Sequence, residues 1–223
     1  MGGAIGQMLS SAVGVAISPL PLIVVILMLS TPRGKANGIA FVLGWVATLA
    51  VLGTVLVLVG GGARSGGEPA RWTYWLKLVL GVLFALMAVK QWRDRPRPGR
   101  EAKTPKWMAS LDGIGPGQAA GVAALLSGAN PKNLALTVGG AASIAGATAG
   151  GGAKAVAVVL FVLVASLCVL LPLGVYLVGG DRAAATLAGW KAWMAEHNSA
   201  IMMTVLAVLA AKYVGDAISG LTA

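Results

Sequence analysis

Apolar residues along the chain gather in six runs, at about residues 4–29, 39–59, 72–92, 117–147, 155–178 and 199–218. A hydrocarbon core of roughly 30 Å needs about 20 such residues in a helix, so the pattern predicts six membrane-spanning helices. The second, third, fifth and sixth runs fit one crossing each, with Pro172 inside the fifth. The first and fourth are longer than a crossing requires, and polar, proline-containing segments interrupt them: SPLPL (Ser18 to Leu22) and GANPKNL (Gly128 to Leu134).

Composition agrees with a bilayer as the solvent. The 223 residues are 57% hydrophobic and 11% charged, against roughly 45–50% and about 25% in soluble domains. The expected fold class is an all-α integral membrane protein. The single cysteine, Cys168, excludes an internal disulfide, a CxxC redox pair and a multi-cysteine metal site. With one histidine, His197, and seven acidic residues, metal-dependent chemistry is not expected, nor is any cofactor. No basic segment followed by a short apolar stretch and cleavage site opens the chain, so the first helix is read as retained.

The net charge of +10 acts here as a topology signal rather than as a nucleic-acid footprint. The stretch KQWRDRPRPGREAKTPKW holds Lys90, Arg93, Arg95, Arg97, Arg100, Lys103 and Lys106; by the positive-inside rule it is cytoplasmic. Six crossings then put both termini outside. Arg33, Lys35, Arg182 and Lys191 fall inside, and Arg64, Arg71 and Lys154 outside, with Lys77 able to snorkel outward. Trp72, Trp75, Trp107, Trp190 and Trp193 read as interfacial anchors. AATLAGWKAWMAEH (Ala184 to His197) reads as a short amphipathic helix along the cytoplasmic interface.

The two halves resemble each other. ISPLPLI at 17–23 aligns with ANPKNLA at 129–135, LVGG at 58–61 with LVGG at 177–180, and VLGVL at 79–83 with VLAVL at 205–209. Each half carries three spans, and three is odd, so the second half would insert upside down: a 3+3 inverted repeat, as in many secondary transporters. The expected organisation is a first repeat over 1–92, a basic loop over 93–116 and a second repeat over 117–223.

Both breaks fall in the first helix of their half, near mid-bilayer. Pro19, Pro21 and Pro131 each remove an N–H and clash with the carbonyl four residues back; the freed groups must be satisfied by protein or by a hydrated cavity. Ser18, Asn130 and Asn133 are suited to cap the new half-helix N-termini, which attract anions. Lys132 adds a full charge where a lysine costs ~2.5–3.5 kcal/mol. The expectation is a polar midplane pocket for a carboxylate, phosphate or sulfate, lined by Ser18, Pro19, Pro21, Asn130, Pro131, Lys132 and Asn133; packing kinks with Lys132 paired to a buried carbonyl are the structural alternative.

Other polar positions rank below these. Gln7 and Gln118 occupy matching places in the two halves, where they line entrances or bond a neighbouring helix. Lys212 and Asp216, at i and i+4, read as a local ion pair, and Asp216 as the carboxylate to consider for proton coupling. Gly139, Ser143 and Ala147 give a small-xxx-small spacing for close helix approach.

On ISPLPLIVVILML and SGANPKNLAL, together with the span count and the basic central loop, the chain resembles the LysE superfamily of small exporters. Within it the likeness is to the actinobacterial Gap/Sap branch of glycopeptidolipid- and sulfolipid-addressing proteins. The resemblance implies a multi-pass protein of the bacterial plasma membrane that exports or flips a glycolipid-type or lipid-linked envelope molecule; in the classical LysE branch the cargo is an amino acid. It places the site on Pro19, Pro21, Asn130, Pro131, Lys132 and Asn133. Expected partners are membrane lipids, the anionic or lipid-linked substrate, envelope-biosynthesis proteins at the basic loop and a second copy of the chain. A non-transporting scaffold for envelope lipid synthesis is the competing class, and an integral membrane enzyme the least supported.

Overall fold

The computed structural model describes residues 2–62, 71–93 and 113–222. Residues 94–112, with Arg95, Arg97, Arg100, Lys103, Lys106 and Trp107 of the basic loop, lie outside them, as does Arg64. The described chain is helical: α1 (Gly2–Ala16), α2 (Pro19–Leu29), α3 (Gly34–Gly62), α4 (Arg71–Arg93), α5 (Pro116–Gly128), α6 (Pro131–Ala145), α7 (Gly151–Ala165), α8 (Leu167–Val178) and α9 (Ala183–Thr222), the last preceded by a 3-10 turn at Gly180–Arg182.

Prolines begin three of these helices. Pro19, Pro116 and Pro131 each stand in a first turn, where the missing N–H would have no intrahelical partner and the fixed φ suits the helix. SPLPL thus ends α1 and starts α2 with a bend of 49°. GANPKNL likewise separates α5 from α6. A third break was not expected: the fifth apolar run bends by 62° between α7 and α8, at Ser166 and upstream of Pro172. In the other direction, the stretch read as a separate interfacial helix at 184–197 is continuous with the sixth run, and together they form the 40-residue α9.

Among the described residues, two helices, Gly34–Gly60 and Gly180–Thr222, are long and apolar enough to cross a membrane, and up to four spans result if each bent pair counts as one. These answer the first, second, fifth and sixth apolar runs. The fourth run divides into the short helices α5 and α6, diluted by glycine, alanine and the polar residues of its break. Large side chains such as Leu43, Val51, Leu58, Leu125 and Val178 are exposed. Soluble proteins seldom show so much apolar surface; here it faces lipid, and the protein is membrane-embedded.

The chain forms two compact units, each drawing on both halves of the sequence: residues 1–64 with 104–195, and 65–103 with 196–223. In the first, α2 is surrounded by protein, with nearly every residue from Pro19 to Leu29 buried, as its unbroken apolar surface requires. α3 supplies the buried Phe41, Trp45 and Leu49. α3 and α5 run parallel, with Gly44 against Ala120 and Gly128 against Thr48 and Leu52. α3 runs antiparallel to α7–α8, with Gly38 against Leu173 and Gly53 against Val158. In the second unit, α4 packs antiparallel on the C-terminal part of α9: Gly81 lies against Val214, Phe84 meets Tyr213 edge-on at 5.7 Å, and Gln91 Nε2 donates to Ser199 Oγ.

Candidate functional site

The first and fourth runs come together through an antiparallel seam between α1 and α6. Gln7 meets Ser143, Gly14 meets Leu136 and Ser18 meets Lys132 along it. The seam therefore brings the C-terminus of α1 to the N-terminus of α6, and with it the two proline breaks into direct contact.

The chemistry at that contact follows from where the prolines stand. In an unbroken helix each N–H bonds the carbonyl four residues back. Pro19 and Pro21 have no N–H, so the carbonyls of Val15 and Ile17 lose their helical donors. The N–H of Ser18 turns to Ala16 at 2.9 Å, which leaves the Gly14 carbonyl as well. Tertiary structure supplies replacements: Ser18 Oγ donates to the Val15 carbonyl at 2.6 Å, and Lys132 Nζ donates to the carbonyls of Gly14 at 3.0 Å and Ile17 at 3.1 Å. The third ammonium N–H goes to Ser18 Oγ at 2.7 Å. All three donors of Lys132 are used, and the residue is 1% exposed.

The GANPKNL side is closed in the same manner. Asn130 caps α6, its Oδ1 accepting from the N–H of Lys132 at 3.0 Å. Asn133, fully buried, donates from Nδ2 to the Leu126 carbonyl at 3.0 Å, and its Oδ1 is a second, longer acceptor for Ser18 at 3.3 Å. Thr137 Oγ1 donates to the Asn133 carbonyl. Capping by Asn130 was expected; for Ser18 the expectation needs correction. Its hydroxyl makes no cap bond to α2; it turns instead to the Val15 carbonyl behind it, to which it donates, and to the ammonium beside it, from which it accepts.

Magnitudes show what holds Lys132 in place. Leaving a buried carbonyl unmade costs roughly 1–3 kcal/mol, and two carbonyls depend on this ammonium. A lysine at mid-membrane costs ~2.5–3.5 kcal/mol, a similar amount. Basic groups also suit the negative end of α1. Among the described residues no carboxylate pairs with Lys132. Every partner is a neutral oxygen, and the charge itself is unmatched.

The remaining expected residues lie elsewhere. Pro19, Pro21 and Pro131 shape the junction without bonding in it. Gln118 Oε1 accepts from the Gly115 N–H at 3.0 Å at the start of α5. Gln7 Oε1 accepts from Ser143 Oγ at 3.1 Å far along the seam. Lys212 and Asp216 belong to the other compact unit, paired at 3.4 Å, with Lys77 a second partner of Asp216 at 3.7 Å. The carbonyls of Gly14, Val15 and Ile17 were not singled out from sequence, although counting four residues back from each proline marks two of them. Cys168 of α8 is buried and near enough to Lys132 to interact with it electrostatically. Among the described residues no three His, Cys, Asp or Glu side chains stand close enough to share a metal ion.

The family model described as Sap, sulfolipid-1-addressing protein, matches residues 8–219, a span that takes in both breaks and runs from the middle of α1 into the last turn of α9. No curated protein and no solved structure matches the chain.

Proposed function

The chain belongs to the Sap, sulfolipid-1-addressing protein, family, and we propose that it exports or flips an anionic, lipid-linked envelope molecule across the bacterial plasma membrane. The anionic group is taken at the Lys132 junction. One observation carries this reading: Lys132 is a buried cation bonded only to neutral oxygens. A neutral donor would satisfy the same acceptors without the expense of desolvating a charge. The charge is therefore unused in the closed junction and is available to a carboxylate, phosphate or sulfate once the junction opens.

Opening follows from the same geometry. Because the ammonium has no spare N–H, an anion gains it only as the α1–α2 bend releases the carbonyls of Gly14 and Ile17. The bend and the seam then form an element with two states, the bound anion favouring the open one. In this reading the chain is a six-span, 3+3 inverted repeat with both termini outside, loop 93–116 cytoplasmic and α5–α6 as its fourth crossing. The parallel run of α3 with α5 and the antiparallel run of α1 with α6 and of α3 with α7 support that alternation. The wider placement among LysE-type exporters belongs to the same proposal, as do a transporter rather than an enzyme and envelope-biosynthesis partners at the basic loop.

The test is comparative lipid and metabolite profiling of a deletion strain carrying wild-type, Lys132→Met or Lys132→Arg copies, with membrane levels of each protein measured in parallel. Loss of one anionic envelope lipid from the outer fraction in the deletion and in Lys132→Met, at normal protein level, is the expected result. Accumulation of a free amino acid instead would move the substrate to the amino-acid exporter class. A wild-type envelope in the Lys132→Met strain would overturn the site.

A further inference from the structure

At the far end of the α1–α6 seam, 13 residues and so ~20 Å along α6 from Lys132, lies a half-open cavity of about 170 Å3. Met8 and Ile144 are buried and form its floor, while Ile5, Val156 and Leu160 are about half exposed and form its sides. The lining is apolar apart from one residue, Lys154 in the second turn of α7. Its ammonium donates to the Ala145 carbonyl at the end of α6, at 2.9 Å. The other two N–H groups have no protein partner among the described residues, and no acidic side chain lines the cavity.

We propose that this groove is a lipid-docking site, occupied by one acyl chain of an anionic membrane lipid whose phosphate or sulfate oxygens bond Lys154. Size sets the single chain: dry apolar cavities of about 150 Å3 accept a benzene-sized molecule, so the groove takes a stretch of roughly six carbons of one tail, not two tails side by side. Charge sets the lipid class. A tail gains little on leaving the bilayer for an apolar groove, since lipid is as apolar as the leucine and isoleucine it meets. Preference therefore comes from the headgroup, and the two free N–H groups of Lys154 match an anionic oxygen pair. α7 opens on Gly150 at its N-cap followed by Gly151 and Gly152, around which nothing lies within 4 Å of a Cβ position, so a headgroup has room beside the lysine. The site stands apart from the Lys132 junction and does not depend on transport.

The full chain, reconstituted in nanodiscs of phosphatidylcholine, is irradiated with trace phosphatidylglycerol or phosphatidylcholine carrying a diazirine in the tail, and labelled residues are mapped by mass spectrometry. Phosphatidylglycerol is expected to label the 153–160 and 5–8 segments about fivefold more than phosphatidylcholine, the preference one lysine near the surface supplies. Lys154→Gln removes that preference, Lys154→Arg keeps it, and Ala157→Trp, which fills the groove, abolishes labelling of these segments by both probes. Equal labelling of the wild-type segments by the two lipids overturns the proposal, and so does an undiminished preference in Lys154→Gln. The wild-type comparison decides even where a variant fails to fold. Failure here leaves the Lys132 reading untouched, because that one is read from envelope composition.

Discussion

Lys132 Nζ stands 3.1 Å from the carbonyl of Ile17, the one oxygen that Pro21, four residues on, is unable to bond. A proline in one broken helix thus creates the acceptor that a lysine in another fills. The relationship makes Lys132 answerable to the α1–α2 break for its position, and it can be tested by removing either party. Lys132→Met leaves two buried carbonyls without a donor, at roughly 1–3 kcal/mol each, but also relieves the ~2.5–3.5 kcal/mol cost of the buried charge, so its net effect on stability in detergent should stay within about 2 kcal/mol. In a Pro21→Ala background the restored N–H can serve Ile17, so the same substitution should cost about 1 kcal/mol less. Thermal unfolding of the four variants gives the coupling; strictly additive effects would show that the proline and the lysine are unrelated.

Two buried serines should respond in opposite ways. Ser18 bonds the Val15 carbonyl and accepts from Lys132, whereas Ser166, at the α7–α8 bend, is fully buried with an Oγ that has no hydrogen-bond partner. Ser18→Ala should lower stability by ~1–3 kcal/mol. Ser166→Ala should leave it unchanged or raise it, because an orphaned hydroxyl is removed. Matching losses in the two melting curves would contradict the assigned bonding.

Close approach of α3 and α5 depends on Gly44. A Cβ there would stand 2.5 Å from the Ala120 carbonyl oxygen and 2.8 Å from its Cα, and backbone has little room to move aside. Gly44→Ala is expected to cost ~1–3 kcal/mol by overpacking. Gly121→Ala, next along α5 with nothing near its Cβ position, should be neutral or mildly stabilising, since alanine is the better helix former. Melting temperatures of the two variants decide the matter.

Asp216 sits between Lys77 and Lys212 at 3.7 and 3.4 Å, all three about 40% exposed. Exposed pairs of this kind are worth ~0–1 kcal/mol. Asp216→Asn should therefore change stability by less than about 1 kcal/mol, and the change should shrink further in high salt. If proton coupling runs through this carboxylate, the same variant loses pH-driven substrate movement in proteoliposomes while melting normally; unchanged movement removes Asp216 from consideration.

Much of the junction was legible in the chain. Pro19, Pro21 and Pro131 mark the breaks, because a missing N–H acts locally and needs no knowledge of the fold. Asn130 was readable as a cap for the same reason: its partner, the Lys132 N–H, is two residues away. Lys132 stood out as a charge in an apolar setting. What was not legible is the direction in which each group turns. Ser18 has a local task available at α2 and another at Val15, and only the ammonium beside it decides between them. The break at Ser166 left no trace in FVLVASLCVLL, where neither proline nor glycine stands, and the continuity of α9 through His197 was hidden by a polar stretch that suits an interface equally well.

By itself, then, the sequence determined that the protein lives in a membrane, where prolines interrupt its apolar runs, and that carbonyls four residues before those prolines must go without helical donors. These are consequences of composition and of proline geometry, and they act within four residues. Tertiary structure decided who replaces the missing donors. The antiparallel α1–α6 seam sets a C-terminus against an N-terminus, so that the ammonium of Lys132 reaches carbonyls 115 and 118 residues away. Partners that distant are chosen by helix packing, which no local pattern encodes.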